Sequence, residues 1–164
     1  MSIKSELIKE IKEKAVVHGR VTLSSGKEAD YYIDLRRVTL DAVAAPLVGQ
    51  AMLDATEGLD YEAVGGLTLG ADPVATAMMH VAKANGRVLN SFVVRKEGKA
   101  HGLQRRIEGP DVAGKRVLAV EDTSTTGGSV LTAVEARIAK NSTAMTVAAL
   151  VNLNRMLFAS LRVC

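Results

Sequence analysis

The sequence predicts an α/β domain, a parallel core sheet flanked by helices. Three observations carry this. Val117-Leu118-Ala119-Val120 is a short continuous apolar run, the pattern of a strand buried on both faces. It runs into Glu121-Asp122, then a loop of hydroxyls and glycines (Thr123, Ser124, Thr125, Thr126, Gly127, Gly128, Ser129), and turns helical at Val130-Leu131-Thr132-Ala133. Ala63-Val64-Gly65-Gly66-Leu67 is a second strand followed by a loop and a helix, and the β-α-β alternation argues for parallel strands with helices on both faces.

Taken in order, residues 2–17 read as an amphipathic helix. Ile3, Leu7, Ile8 and Ile11 recur at helical spacing, and Lys4, Lys9, Lys12 and Lys14 take the other face. His18-Gly19 stops it. Val21-Thr22-Leu23 leads through the turn Ser24-Ser25-Gly26-Lys27 to Tyr31-Tyr32-Ile33-Asp34-Leu35, a hairpin-like pair of short strands. Asp41 caps a second helix running to about Thr56, with Pro46 early in it. After the strand at 63–67, Asp72-Pro73 reads as an N-cap and a first-turn proline opening a helix over 74–84. Phe92-Val93-Val94 is a further strand, and residues 96–110 lack periodicity and read as a long loop. A strand at 116–120, the helix from Ser129 and a strand at 146–153 complete the alternation. There is no internal repeat, low-complexity tract or linker, so residues 1–164 read as a single domain: a hood over about 1–40, a core over about 41–155 and a tail at 156–164.

Composition narrows the function classes. At 48% hydrophobic and 24% charged, 164 residues suffice for one globular core, and no run reaches the ~18 apolar residues of a membrane span. The first residues lack a signal-peptide core. Cys164 is the lone cysteine, so neither a disulfide within the chain nor a cysteine zinc cluster can form, and a cytoplasmic setting is expected. A net charge of +3 does not require nucleic acid, and 3% aromatics are too few for a base-stacking platform. Neither a nucleic acid nor a membrane is expected as partner.

Chemistry concentrates at three segments. Glu121 and Asp122 fall at the C-terminal end of a strand, where ligands sit in open α/β sheets. The N–H groups and hydroxyls from Thr123 to Ser129 can wrap an anion at a helix N-terminus. Carboxylates repel phosphate but suit a sugar diol or Mg²⁺, so one end of the loop fits a ribose and the other a phosphate. Arg95-Lys96-Glu97-Gly98-Lys99-Ala100-His101-Gly102-Leu103-Gln104-Arg105-Arg106 carries five cations, with Gly98 and Gly102 as hinges, which fits an anion-handling lid or, more plainly, a solvated basic loop. Thr68-Leu69-Gly70 follows the strand at 63–67, where exposed N–H groups could hold an anion; a plain glycine turn is the alternative.

The Glu121-to-Ser129 segment resembles the phosphoribosyl-diphosphate (PRPP) motif of the type I phosphoribosyltransferases, and Lys99-Ala100-His101-Gly102 resembles the catalytic loop of their orotate branch. The resemblance implies the type I phosphoribosyltransferase fold and transfer of phosphoribose from PRPP to orotate, giving orotidine 5′-phosphate in pyrimidine biosynthesis. It implies that Glu121 and Asp122 grip the ribose hydroxyls and that Thr123, Ser124, Thr125, Thr126, Gly127, Gly128 and Ser129 cradle the 5′-phosphate. Thr68, Leu69 and Gly70 correspond to a pyrophosphate loop. Lys96, Lys99 and His101 meet the pyrophosphate with Arg95 in support, and Lys99, His101 and Asp122 are the implied catalytic residues. Tyr31 and Tyr32 resemble the hood over the base, although they also fit as core-strand residues. Arg155 matches the arginine that meets the orotate carboxylate. Mg²⁺ is the implied cofactor, bound mainly through PRPP and in part by Asp122. A homodimer that shares the lid across subunits is the implied assembly. The chain departs from the family at Ser24, where many members have Lys, and at Asn154, where they have Asp; residues 156–164 read as unrelated to it, as a truncation or frame shift would leave them. A purine phosphoribosyltransferase and a PRPP-binding regulator of pyrimidine genes are the alternatives.

Overall fold

The computed structural model describes residues 2–22, 26, 28–96, 106–123, 132–133 and 147–152. Lys99, His101, Ser124, Thr125, Thr126, Gly127, Gly128, Ser129, Arg155 and the tail at 156–164 lie outside the described residues.

Helix α1 (Ile3–Lys14) starts at Ser2, whose side chain accepts the Ser5 N–H at 3.2 Å. It ends three residues earlier than the periodicity suggests. Val16 and Val17 open strand β1 (Val16–Thr22) instead, which pairs antiparallel with β2 (Glu28–Ile33) through Val16–Ile33 and Val17–Tyr32. Two adjacent β-branched residues fit a pleated ribbon better than a final helical turn. Gly19 is therefore not a helix stop. It lies at φ 139° inside β1, where the register shifts between His18 and Val21, so it serves a bulge.

A short helix that the sequence reading did not anticipate, α2 (Arg36–Thr39), leads to α3 (Ala44–Ala55). The N-cap position of α3 is Val43, two residues after the expected Asp41, although Asp41 Oδ1 still accepts the N–H groups of Val43 at 3.0 Å and Ala44 at 2.9 Å. Pro46 is the third helical residue, where a missing N–H costs nothing because first-turn amides have no intrahelical acceptor. Lys14 joins α1 to the Asp41 carboxylate, with Nζ 2.7 Å from Asp41 Oδ1 and 2.6 Å from Glu10 Oε2.

Strand β3 (Ala63–Leu67), helix α4 (Ala71–Ala84) and strand β4 (Asn90–Val94) form a β-α-β unit, followed by the two-residue β5 (Ile107–Glu108), β6 (Val117–Glu121) and β7 (Val147–Asn152). The sheet order is β5-β4-β3-β6-β7, with β4, β3, β6 and β7 parallel and β5 antiparallel on β4. The expected parallel core and N-terminal hairpin are both present. The antiparallel β5 was hidden in a stretch read as loop.

The main core packs Leu7 and Ile11 of α1, Val48 and Met52 of α3, and Val74 and Met78 of α4 against Val64, Leu118 and Val120 of the sheet. The other face gathers Ala63, Phe92, Val94 and Val117 with Ala133, one of two helical residues described after the loop. Helices α3 and α4 approach closely at Gly49, where a Cβ would come within 2.6 Å of the Ala77 carbonyl oxygen. Among the described residues no helix is long and apolar enough to cross a membrane.

Candidate active site

The site lies at the C-terminal edge of the sheet, between β3 and β6. These strands run parallel in register, Ala63 beside Val117 and Gly65 beside Ala119, so their trailing loops leave the same edge. From β3 the chain steps to β4 on one side, then returns to β6 on the other. Strand order thus reverses between β3 and β6, the position at which open α/β sheets hold ligands.

Glu121 closes β6, Asp122 follows it, and both are buried at 9% exposure. Asp122 is anchored locally, since its Oδ1 accepts the Thr123 N–H at 2.7 Å and lies 3.4 Å from the Thr123 hydroxyl. Across from it, the loop after β3 presents Thr68, Leu69 and Gly70. A Cβ on Gly70 would run into the Asp122 carboxylate, so glycine is what lets the acid lie against the loop. The Thr68–Leu69 peptide is cis, and Leu69 is 69% exposed. The Thr68 N–H donates to the Val94 carbonyl at 2.9 Å, while the amides of Leu69 and Gly70 have no acceptor among the described residues. Two loops from adjacent strands therefore meet, one bringing the buried Asp122 carboxylate and the other the backbone N–H groups of Leu69 and Gly70.

Several expected site residues lie farther along the fold. Arg95 leaves β4, one strand beyond β3, and its guanidinium stands 3.7 Å from Glu108 Oε1 while its N–H donates to the Arg106 carbonyl at 2.8 Å. Lys96 accepts at its carbonyl from the Arg106 guanidinium at 3.2 Å. Tyr31 and Tyr32 are consecutive on β2, each 41% exposed, so the ribbon turns them to opposite faces and neither is a core residue.

Arg36 escaped the sequence reading, and Asp72 was read there only as a cap. Asp72 is not an N-cap: α4 begins at Ala71, and Asp72 lies in its first turn with Oδ2 accepting the Thr68 hydroxyl at 2.7 Å. The loop tightens into helix two residues sooner than an Asp72 cap would require. Arg36 stands between hood and core, its Nε 2.8 Å from Asp34 Oδ1. Asp34 raises the guanidinium above its ordinary value, with smaller contributions in the same sense from Tyr32 and Asp122. Arg36, Leu69 and Asp72 line one open groove of about 630 Å³. The Asp34-x-Arg36 spacing was the available signal, but an acid and a base two apart on a loop are common on surfaces.

No family model matches the chain. Its sequence is 71% identical over 134 residues to the orotate phosphoribosyltransferase of Streptomyces avermitilis, covering 82% of this chain and 74% of that one. Its fold superposes on the crystal structure of Mycobacterium tuberculosis orotate phosphoribosyltransferase in complex with Fe(III) dicitrate, with a TM-score of 0.80, 54% identity and coverage of 92% of this chain and 83% of the other. The same mycobacterial enzyme in complex with PRPP matches with a TM-score of 0.75 at 47% identity, over 92% and 82% of the two chains. With a reversal-point site and identity at this level across four-fifths of its length, the chain belongs to the orotate phosphoribosyltransferase family.

Proposed function

We propose that the chain transfers the phosphoribosyl group of PRPP to orotate, forming orotidine 5′-phosphate and pyrophosphate in pyrimidine biosynthesis. The observation that carries this reading is the buried Glu121–Asp122 pair at the strand-order reversal, with Asp122 lying against Gly70 of the neighbouring loop. In the reaction the bond from the anomeric carbon to pyrophosphate breaks, pyrophosphate leaves with the electron pair, and a ring nitrogen of orotate bonds to that carbon and loses its proton. The transition state is oxocarbenium-like, so the protein needs no nucleophile. Its work is to hold the sugar still and to stabilise charge on the leaving group.

In this reading Glu121 and Asp122 bind the ribose diol, and Thr123 begins the phosphate cradle that continues through Ser129. The Leu69 and Gly70 amides receive the pyrophosphate, and Tyr31 and Tyr32 present the hood to the base. Lys96, Lys99 and His101, with Arg95 behind them, close over the pyrophosphate from a partner subunit, which makes the working unit a homodimer, and its setting the cytoplasm. The chain acts as one domain in which the hairpin hood covers the core.

Mg²⁺ fits this donor set. Among the described residues no three or more His, Cys, Asp or Glu side chains gather to hold a metal, and Glu121 and Asp122 are buried carboxylates at the end of β6. Mg²⁺ commonly binds through one or two carboxylates plus substrate phosphates, and Asp122 is the residue that would share it. When bound, the ion supplies Lewis-acid stabilisation to the pyrophosphate oxygens.

The direct test is ultraviolet detection of orotate consumption with PRPP and Mg²⁺. Equal turnover of hypoxanthine would overturn the reading in favour of a purine enzyme. Arg155→Ala is expected to raise the orotate KM by roughly 10- to 100-fold and leave the PRPP KM unchanged, as follows from losing one charge-assisted pair. An unchanged orotate KM would remove Arg155 from base recognition. The shared lid is tested by mixing Lys99→Ala with Asp122→Asn subunits. Exchange should restore activity by pairing an intact lid with an intact ribose site, and no recovery despite demonstrated exchange would place the lid in its own subunit.

A further inference from the structure

We infer that Asp72 is a positioning residue for pyrophosphate release, acting through Thr68 to fix the loop that presents the Leu69 and Gly70 amides. The inference rests on the reaction proposed above and assigns a function to a carboxylate which that mechanism leaves unused.

Thr68 is held at two points. Its N–H is tied to Val94 on β4 at 2.9 Å, and its hydroxyl donates to Asp72 Oδ2 on α4 at 2.7 Å. Leu69, the next residue, is exposed, so the shape of the loop depends on what grips Thr68. The other Asp72 oxygen, Oδ1, is buried and has no hydrogen-bond partner among the described residues. A carboxylate would repel a pyrophosphate that it touched, so direct binding is the wrong role for Asp72. Its place in the first turn of α4 suits a negative charge, because the unpaired amides of a helix N-terminus carry partial positive charge. From there it locks the Thr68 side chain back onto the helix. Gly70, two residues on, lies against Asp122, so a loop that drifted at Thr68 would also release the wall behind the ribose carboxylate.

The test compares Asp72→Ala, Asp72→Asn, Thr68→Val and Thr68→Ser with the native chain. PRPP KM, pyrophosphate product inhibition and orotate KM are measured for each, and PRPP binding is measured by calorimetry with Mg²⁺. Asp72→Ala and Thr68→Val should each weaken PRPP and pyrophosphate by roughly 10- to 100-fold, the scale of a hydrogen bond to a charged group, with orotate KM unchanged. Asp72→Asn and Thr68→Ser keep the acceptor and the hydroxyl, and both should stay near native affinity. The Thr68→Val/Asp72→Ala double variant should lose no more than the worse single, since both remove the same contact. Native PRPP and pyrophosphate affinity in Asp72→Ala, or an equal rise in orotate KM, would overturn the inference. Should Asp72→Ala not fold, Thr68→Val against Thr68→Ser decides it. Calorimetry needs no turnover, so a native chain that binds PRPP but leaves orotate unconsumed counts against the proposed reaction alone.

Discussion

Asp122→Asn is expected to lower turnover of orotate and PRPP by roughly 10²- to 10³-fold, the scale of losing one preorganised electrostatic contact. The substitution is nearly isosteric. The amide oxygen can still accept the Thr123 N–H, and the side chain still fits against Gly70. What disappears is the negative charge and one strong acceptor at the ribose, so thermal stability should hold while catalysis collapses. Steady-state kinetics beside a melting curve separate the two. Native turnover in Asp122→Asn would withdraw the carboxylate from the ribose site.

Gly70→Ala should produce a comparable loss from the opposite side of the same contact. Gly70 has φ −64° and ψ −41°, a conformation that alanine adopts freely, and it immediately precedes α4, so the backbone tolerates the change. The added methyl would nevertheless land on the Asp122 carboxylate. That acid is short, buried and anchored by its neighbour's amide, so it must rotate or the loop must lift. Misplacing a catalytic group by about 1 Å costs on the order of 10²-fold in rate. The melting temperature should stay near native, and combining Gly70→Ala with Asp122→Asn should cost less than the product of the two. A fully active Gly70→Ala enzyme would show that the loop and the acid are not held together.

The elements legible in the sequence were those with strong apolar patterning. Ala63–Leu67, Val117–Glu121 and Val147–Asn152 lie where the runs of Val, Ala and Leu put them, and the acids at 121 and 122 fall at the strand end as the pattern required. Boundaries failed where a local rule competed with tertiary pairing. Val16 and Val17 continue the apolar stripe of α1, yet strand pairing with Tyr32 and Ile33 claims them. Ile107 and Glu108 form a strand because β4 offers an open edge, which no window of their own sequence reveals. Asp72 followed by proline has the signature of a cap, but the Thr68 hydroxyl drew the carboxylate back and the helix began at Ala71. Arg36 was invisible because its pair with Asp34 reads as an ordinary surface pair, and its place beside Leu69 and Asp72 on the groove appears only in the fold.

The β4–β5 pairing has a consequence in polymer terms. Val94 faces Ile107 and the Arg95 amide reaches the Arg106 carbonyl, so the chain leaves and re-enters the sheet about one strand spacing apart, some 4.8 Å. The cost of closing such an excursion rises only with the logarithm of its length, about 0.6 kcal/mol for each doubling. The register at this edge is therefore set by the paired residues, Val93 with Glu108 and Val94 with Ile107, and only weakly by the number of residues between them. The sheet edge is thus pinned by residues on either side of that stretch, the most cationic of the chain, and owes it little of its energy.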